Sequence, residues 1–90
     1  MLFRSPDSVR RYTMLHDRSG KRIWEGSILE AHYDDTFPEN ATISQVFMGK
    51  FGWRIKERGY EGSTDLDDFV LEHNDVIGNI FDSPELMVVR

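Results

Sequence analysis

The sequence predicts a mainly β protein with a small curled sheet and one or two short helices. Its 90 residues suffice for one domain with a modest core. Only two alanines occur, Ala31 and Ala41, against 27 residues that are β-branched or aromatic, and this bias favours strands over a helical bundle. Clusters of Gly, Asp, Asn and Ser separate short runs of strand-forming residues, which is typical of hairpins.

The first predicted hairpin follows an N-terminal arm at residues 1–9, which has no clear periodicity. Strands are expected at 10–15 and 21–25, with a turn between them in which Gly20 supplies the positive φ of a tight return. Gly26 lies between this hairpin and a strand at 27–33, where a glycine predicts a bulge or sharp bend that curls the sheet. A loop is expected at 34–40.

The second predicted hairpin joins strands at 41–48 and 51–58 through Gly49-Lys50, which suits a type II′ turn. In its second strand, Phe51, Trp53 and Ile55 alternate with Gly52, Arg54 and Lys56. Because alternate side chains point to opposite faces of a strand, one face should be buried and the other basic.

The acidic C-terminal third should contain the helices. Thr64 is expected to cap a short helix through Leu71, since acidic residues crowd its first turn; a strand beginning near Phe69 is the alternative. A strand follows at 75–81, and Pro84 in Ser83-Pro84-Glu85 marks a helix start. Residues 10–90 are therefore interpreted as a single β domain.

Composition excludes several function classes. The chain has no cysteine, hence no disulfide or thiolate metal site, and its apolar runs are too short to span a membrane. The net charge of −5 divides into +2 over residues 1–58 and −7 over 59–90. Net charge thus disfavours general binding to nucleic acid but permits a local basic face. A soluble protein of the bacterial cytoplasm is expected.

Two sequence blocks carry a family resemblance: YTMLHDRSGKRIWEGSIL at residues 12–29 and DVIGNIFDSPEL at 75–86. They resemble the YopX family of bacteriophage and prophage proteins, in particular its C-terminal core. The family pattern is Y-T-G-L-x-D-x-x-G-x-x-I-[YF]-E-G-D-[IL]-[VL], followed by V-I-G-N-I-[YF]-x-N-P-E-L. The matching positions include Asp17, Gly20, Trp24, Glu25, Gly26, Gly78, Asn79 and Pro84. Met14 replaces the usual glycine, and Ser27 the usual aspartate.

The resemblance implies a mainly β fold, either a small curled sheet or a barrel, that is oligomeric in at least some members. It implies a phage or prophage origin and supplies no catalytic residues.

The motif residues are interpreted as structural. Glu25-Gly26-Ser27 has the groups of a polar ligand site, but Gly26 is expected to make a bend whose backbone groups bond Glu25 or Ser27. Gly78 should permit close strand approach, and Asn79 should bond a turn. The three histidines have no ligand-like spacing, so no metal site or cofactor is expected. A hydrolase would need Glu25, His32 and Asp34 to converge.

A nucleic-acid site is the alternative to a simple binding protein. Arg54, Lys56 and Arg58, together with Trp53, are the candidate residues for single-strand binding by a small β-barrel. The alternation places these cations opposite the aromatic face, so a solvated outer face is favoured. A second basic cluster flanks the first hairpin: Arg10, Arg11, Arg18, Lys21 and Arg22. We expect a non-enzymatic binding or regulatory protein that forms a homo-oligomer. A host protein is a candidate partner; nucleic acid is less favoured, and no membrane is expected.

Overall fold

The computed structural model describes residues 10–32 and 42–88. The predicted arm at 1–9 and the loop at 34–40 lie outside the described residues. The described chain forms seven strands, one α-helix (α1) and a C-terminal 3-10 helix. Their bounds are β1 Tyr12–His16, β2 Arg22–Trp24, β3 Ser27–Ala31, β4 Ile43–Gly49, β5 Gly52–Glu57, β6 Thr64–Asp65, α1 Asp68–His73, β7 Asn74–Asn79 and the 3-10 helix Pro84–Met87.

The strands form two antiparallel sheets. β1 and β2 make a two-stranded sheet, and the other five strands lie in the order β6-β5-β4-β3-β7. The mainly β prediction is confirmed. Across residues 10–32 and 42–88 neither sheet closes into a barrel, so the open-sheet alternative describes the fold.

The hydrophobic core lies on one face of the five-stranded sheet. Val46 of β4 and Ile55 of β5 are register partners, so both side chains point to this face. Ile23 of the β1–β2 hairpin and Val70 of α1 pack against them. The hairpin and the helix therefore cover the same face. Full burial of one such aliphatic side chain contributes about 1.5–3 kcal/mol.

The opposite face of the sheet receives the C-terminal 3-10 helix. A Cβ atom at Gly78 would lie only 3.0 Å from Leu86 Cδ1, so the absence of a side chain there lets Leu86 approach β7. Ile28, the β3 partner of Gly78, is fully buried. Pro84 stands in the first turn of this 3-10 helix, where its fixed φ suits the chain direction.

The turn of the second hairpin differs from the prediction by one residue. Gly49 pairs with Gly52, so Lys50 and Phe51 form the loop, and Gly52 takes the positive φ of +142°. The prediction of a type II′ turn at Gly49-Lys50 is wrong, because Gly52, after the loop, supplies the positive φ. Phe51 therefore leaves the apolar face of β5 and is 93 % exposed.

The helix begins later than predicted. Thr64 lies in β6, where it pairs with Ile55. Asp67 caps α1 instead, and its carboxylate accepts a 3.0 Å hydrogen bond from Val70 N. Pairing with β5 outweighs the local capping preference of Thr64.

Candidate functional site

Asp17 joins the turn of the first hairpin to β7. Its buried carboxylate accepts hydrogen bonds from the backbone N–H groups of Ser19 and Lys21 at Oδ1 and of Val76 at Oδ2, each 2.8 Å long. Gly20, with φ of +91°, closes the turn by donating to Asp17 O. Asp17 and Gly20 therefore shape the turn, and Asp17 also attaches it to the larger sheet.

Asp75 makes a second attachment beside the first. Arg18 Nε donates to its Oδ2 at 2.9 Å, and Ser19 Oγ donates to its Oδ1 at 2.8 Å. Burial acts to raise the pKa of Asp75, but the hydrogen bonds from Ser19 and Arg18, together with charge attraction from Arg18 and His32, outweigh burial and hold that pKa below its usual value. The turn thus covers part of the outer edge of β7, which would otherwise be open to strand pairing.

The Glu25-Gly26-Ser27 corner is closed by its own contacts. Both Glu25 carboxylate oxygens accept from the Arg11 guanidinium, at 3.1 and 2.9 Å, and this bonding lowers the pKa of Glu25. Ser27 Oγ accepts from Trp24 N. Gly26 has φ of +90°, and a Cβ there would lie 2.6 Å from the Phe81 ring. The polar side chains of this corner therefore form hydrogen bonds with other groups of the same chain.

Asn79 organises the turn before the 3-10 helix. Its Oδ1 accepts from the backbone N–H groups of Phe81 and Asp82, at 2.9 and 2.8 Å, and its Nδ2 donates to Asp82 Oδ2. Such a side chain replaces the backbone partners that the turn removes.

The motif residues thus hold the first hairpin, the Gly26 corner and the Asn79 turn around β3 and β7. A family model described as YopX protein matches residues 3–88. The chain belongs to the YopX family. Membership suggests a phage-associated protein of unknown function. Comparison with curated proteins gives no match.

One YopX-family motif position carries backbone strain in this chain. Met14 stands where the family pattern has glycine, and its φ is +69°. It lies in a bulge between Tyr12 and Leu15, where Thr13 Oγ1 donates to Ile23 O and accepts from Leu15 N. The motif glycine is therefore explained by the left-handed backbone of this bulge.

The basic row of the YopX-family chain, formed by Arg54, Lys56 and Arg58, bonds to groups of the same chain. Arg54 donates to Ser63 Oγ and O and to Asp65 Oδ1. The Lys56 ammonium donates to Tyr60 O, and Arg58 Nη1 donates to Leu86 O at 3.0 Å.

Trp53 is half-buried on the opposite, core-facing side of β5. The structure therefore does not bring the four predicted binding residues together.

A different cationic and aromatic surface lies on the two-stranded sheet of this YopX-family chain. Tyr12 and Trp24 are register partners, and their ring centroids are 5.0 Å apart. The Arg10 guanidinium lies 5.8 Å from the Trp24 centroid and 5.5 Å from that of Phe81. The Arg22 guanidinium lies 5.5 Å from the Tyr12 centroid. We call these five residues the hairpin aromatic surface.

Sequence reasoning noted the basic cluster of the first hairpin but missed this surface. The sequence feature that could have indicated this surface is the expected pairing of Tyr12 with Trp24 across the turn of the first hairpin. The approach of Phe81 was not visible in the sequence, because it depends on the missing side chain of Gly26.

A cleft of about 240 Å³ lies beside α1 in this YopX-family chain. Ile55 and Val70 contribute its apolar wall, and Glu57 contributes a carboxylate beside the hydroxyl of Ser44. The cleft combines that carboxylate and apolar wall with hydroxyl-bearing residues of β4, of β6 and of the segment between β5 and β6.

The histidines and acidic residues of the described ranges do not form a metal centre. His32 Nε2 lies 3.4 Å from Glu30 Oε1 and 3.5 Å from Asp75 Oδ2, yet no group of three or more potential ligands in residues 10–32 and 42–88 is arranged to hold a metal ion. Glu25 bonds Arg11, and Asp34 lies outside the described residues. No helix in the described part of the chain is long and apolar enough to cross a membrane.

Proposed function

We propose that this YopX-family chain is a phage- or prophage-encoded binding protein without catalytic activity, which acts as a homo-oligomer in a bacterial cytoplasm. The observation that carries this proposal is the exposure of Phe51 at the tip of the β4–β5 hairpin. A phenylalanine that is 93 % exposed leaves its apolar surface in water. Burying such a side chain in an interface is worth about 1.5–3 kcal/mol.

Charge complementarity supports the proposal that this tip binds a second copy of the chain. Lys50 lies beside Phe51, with its Nζ 5.5 Å from the ring centroid. The outer side of α1 presents exposed Asp68 and Glu72 around Phe69, which is itself 59 % exposed. The tip of one copy therefore matches α1 of another in charge and in apolar surface. Because tip and helix are different patches, the contact is either made twice across the two-fold axis of a dimer or repeated head-to-tail in a larger assembly.

Light scattering after size exclusion, at micromolar concentrations, tests the proposal. The wild-type chain should have a mass of at least twice 10.5 kDa, and Phe51→Ser should shift the mass downward. Tyr60→Ser, a change at another exposed aromatic residue, is the matched control and should keep the wild-type mass. A wild-type mass of 10.5 kDa would sink the proposal.

A charge exchange tests the partner surface. Lys50→Glu should lower the mass through repulsion from α1, and adding Glu72→Lys should restore it. Glu72 suits this exchange because a lysine late in a helix is compatible with the helix dipole. Loss of the oligomer in the double variant would place the contact elsewhere.

A further inference from the structure

We propose that the hairpin aromatic surface binds single-stranded nucleic acid, with bases stacking on its rings and guanidinium groups and with phosphates paired to Arg10 and Arg22. This binding site goes beyond the self-association proposed above, and it lies on a different part of the chain from the Lys50–Phe51 tip.

The arginines of the described residues divide into two groups. Arg11, Arg18 and Arg54 each form an ion pair with a carboxylate, and Arg58 donates to a backbone carbonyl. Arg10 and Arg22 differ, because their contacts within the described residues are aromatic rings alone. Arg10 Nε is also buried, and it has no hydrogen-bond partner among the residues that the structure describes. Two cations that pair with no carboxylate of residues 10–32 and 42–88 therefore lie beside the rings of the β1–β2 hairpin.

The rings provide the second half of the site. Phe81 is 54 % exposed, while Tyr12 and Trp24 are half-buried and hold each other at 5.0 Å. Nucleobases stack on aromatic rings and on guanidinium planes, and each stacked base is worth about 1–3 kcal/mol. Aromatic planes beside two cations therefore suit a ligand that is both planar and anionic. A stretch of single-stranded nucleic acid has both properties in every nucleotide.

The geometry separates this surface from the basic row on β5. In the basic row the cations bond their own chain and the tryptophan points to the other face. On the hairpin the cations lie over the rings, so both parts of a stacking platform occupy the same place. The positive balance of residues 1–58 also gives this region the charge that the acidic C-terminal third lacks.

Fluorescence anisotropy with labelled oligothymidylate, titrated at low and at moderate salt, tests the site. Wild type should bind the single strand more tightly than a duplex of the same length, with affinity falling as salt rises. Arg22→Gln should reduce the salt slope by about 0.7, the value for one phosphate contact on a single strand. Phe81→Ala should weaken binding about tenfold or more.

Lys56→Gln is the matched control, because it removes one exposed cation from the basic row and leaves the hairpin intact. It should bind nearly as tightly as wild type. Circular dichroism melting confirms that each variant is folded. A nitrogen–proton correlation spectrum adds an independent readout, in which the indole signal of Trp24 should shift on binding more than that of Trp53.

Three outcomes would overturn the assignment. The first is absence of binding at low salt by folded wild-type protein. The second is equal loss in Lys56→Gln and Arg22→Gln, which would mean that total charge alone drives binding. The third is salt-sensitive binding of an acidic peptide that excludes the oligonucleotide and is tighter than it, which would make the surface a protein interface.

Discussion

The carboxylate of Asp17 accepts a 2.8 Å hydrogen bond from the backbone N–H of Val76, which lies 59 residues further along the chain. The same carboxylate organises its own turn, so one buried side chain connects the two-stranded sheet to the outer strand of the larger one. Hydrogen bonds of this kind attach the β1–β2 hairpin, which carries Tyr12 and Trp24, to the strand that leads to Phe81.

Asp17→Asn should lower the free energy of unfolding by about 1.5–3 kcal/mol, the cost of weakening hydrogen bonds to a buried charged group. The amide offers one acceptor oxygen, and its NH₂ group would face a backbone N–H donor. Urea denaturation monitored by circular dichroism measures the change. Asp82→Asn, at an exposed carboxylate that accepts from Asn79, is the control and should change stability by much less. Equal effects in the two variants would contradict the role given to Asp17.

Met14→Gly should raise the free energy of unfolding by about 0.5–1 kcal/mol. A left-handed backbone costs a residue with a side chain about 1–2 kcal/mol, and the greater chain entropy of glycine in the unfolded state offsets part of that gain. The side chain is 75 % exposed, so little packing is lost. Met14→Ala keeps Cβ and should give no such gain; thermal melting compares the two. A gain in alanine equal to that in glycine would show that the methionine side chain, not the backbone angle, is unfavourable.

Gly26→Ala should destabilise the protein more than Gly20→Ala. Both glycines have φ near +90°, so both substitutions carry the same backbone cost of about 1–2 kcal/mol. A Cβ at Gly26 would also lie 2.6 Å from the Phe81 ring, whereas nothing lies within 4 Å of one at Gly20. The difference between the two melting curves therefore measures the clash. Phe81→Ala in the Gly26→Ala background should recover part of the lost stability. Absence of any recovery would show that the Phe81 ring does not cause the loss.

The Arg11–Glu25 pair should give stability that depends on pH. The pKa of Glu25 is lowered in the folded protein from an ordinary value of 4.5, chiefly by the hydrogen bond from Arg11. The contribution is therefore fully present above pH 4.5 and is lost as pH falls through the lowered pKa. Arg11→Gln should be less stable than wild type near neutrality, and the two stabilities should converge in acid. Denaturation across that range checks this, and a gap that stays constant with pH would show that Glu25 is not the group involved.

The sequence could predict those parts of the fold that depend on local chemistry. Gly20 marks a turn because its positive φ is a property of one residue, and the strands on either side follow from their β-branched content. The pairing of Thr64 with Ile55 could not be predicted in this way, since a two-residue strand has no periodicity of its own. The Lys50–Phe51 loop was misplaced by one residue because three nearby glycine and lysine positions suit more than one turn type.

The candidate site also has some features that the sequence could predict and others that it could not. The alternation in β5 correctly separates Arg54 from Trp53, but it cannot show that Ser63 and Asp65 return to bond Arg54. Likewise, Arg10 and Phe81 come together only because the chain bends at Gly26 and turns at Asn79. Long-range contacts of this kind depend on the assembled fold, and no spacing in the sequence encodes them.

The position of β7 in the sheet has a consequence for the order of folding. β3 lies between β4 and β7 in the sheet. In the chain, however, β7 comes after β4, β5, β6 and α1, so it is synthesised last of these elements. Until β7 arrives, one edge of β3 is unpaired, and two of its side chains, Ile28 and Leu29, are fully buried only in the finished sheet. An unpaired apolar edge is a template for pairing between chains. A chain halted before Asn74 should therefore aggregate, and the strand that completes the sheet also protects it from other copies.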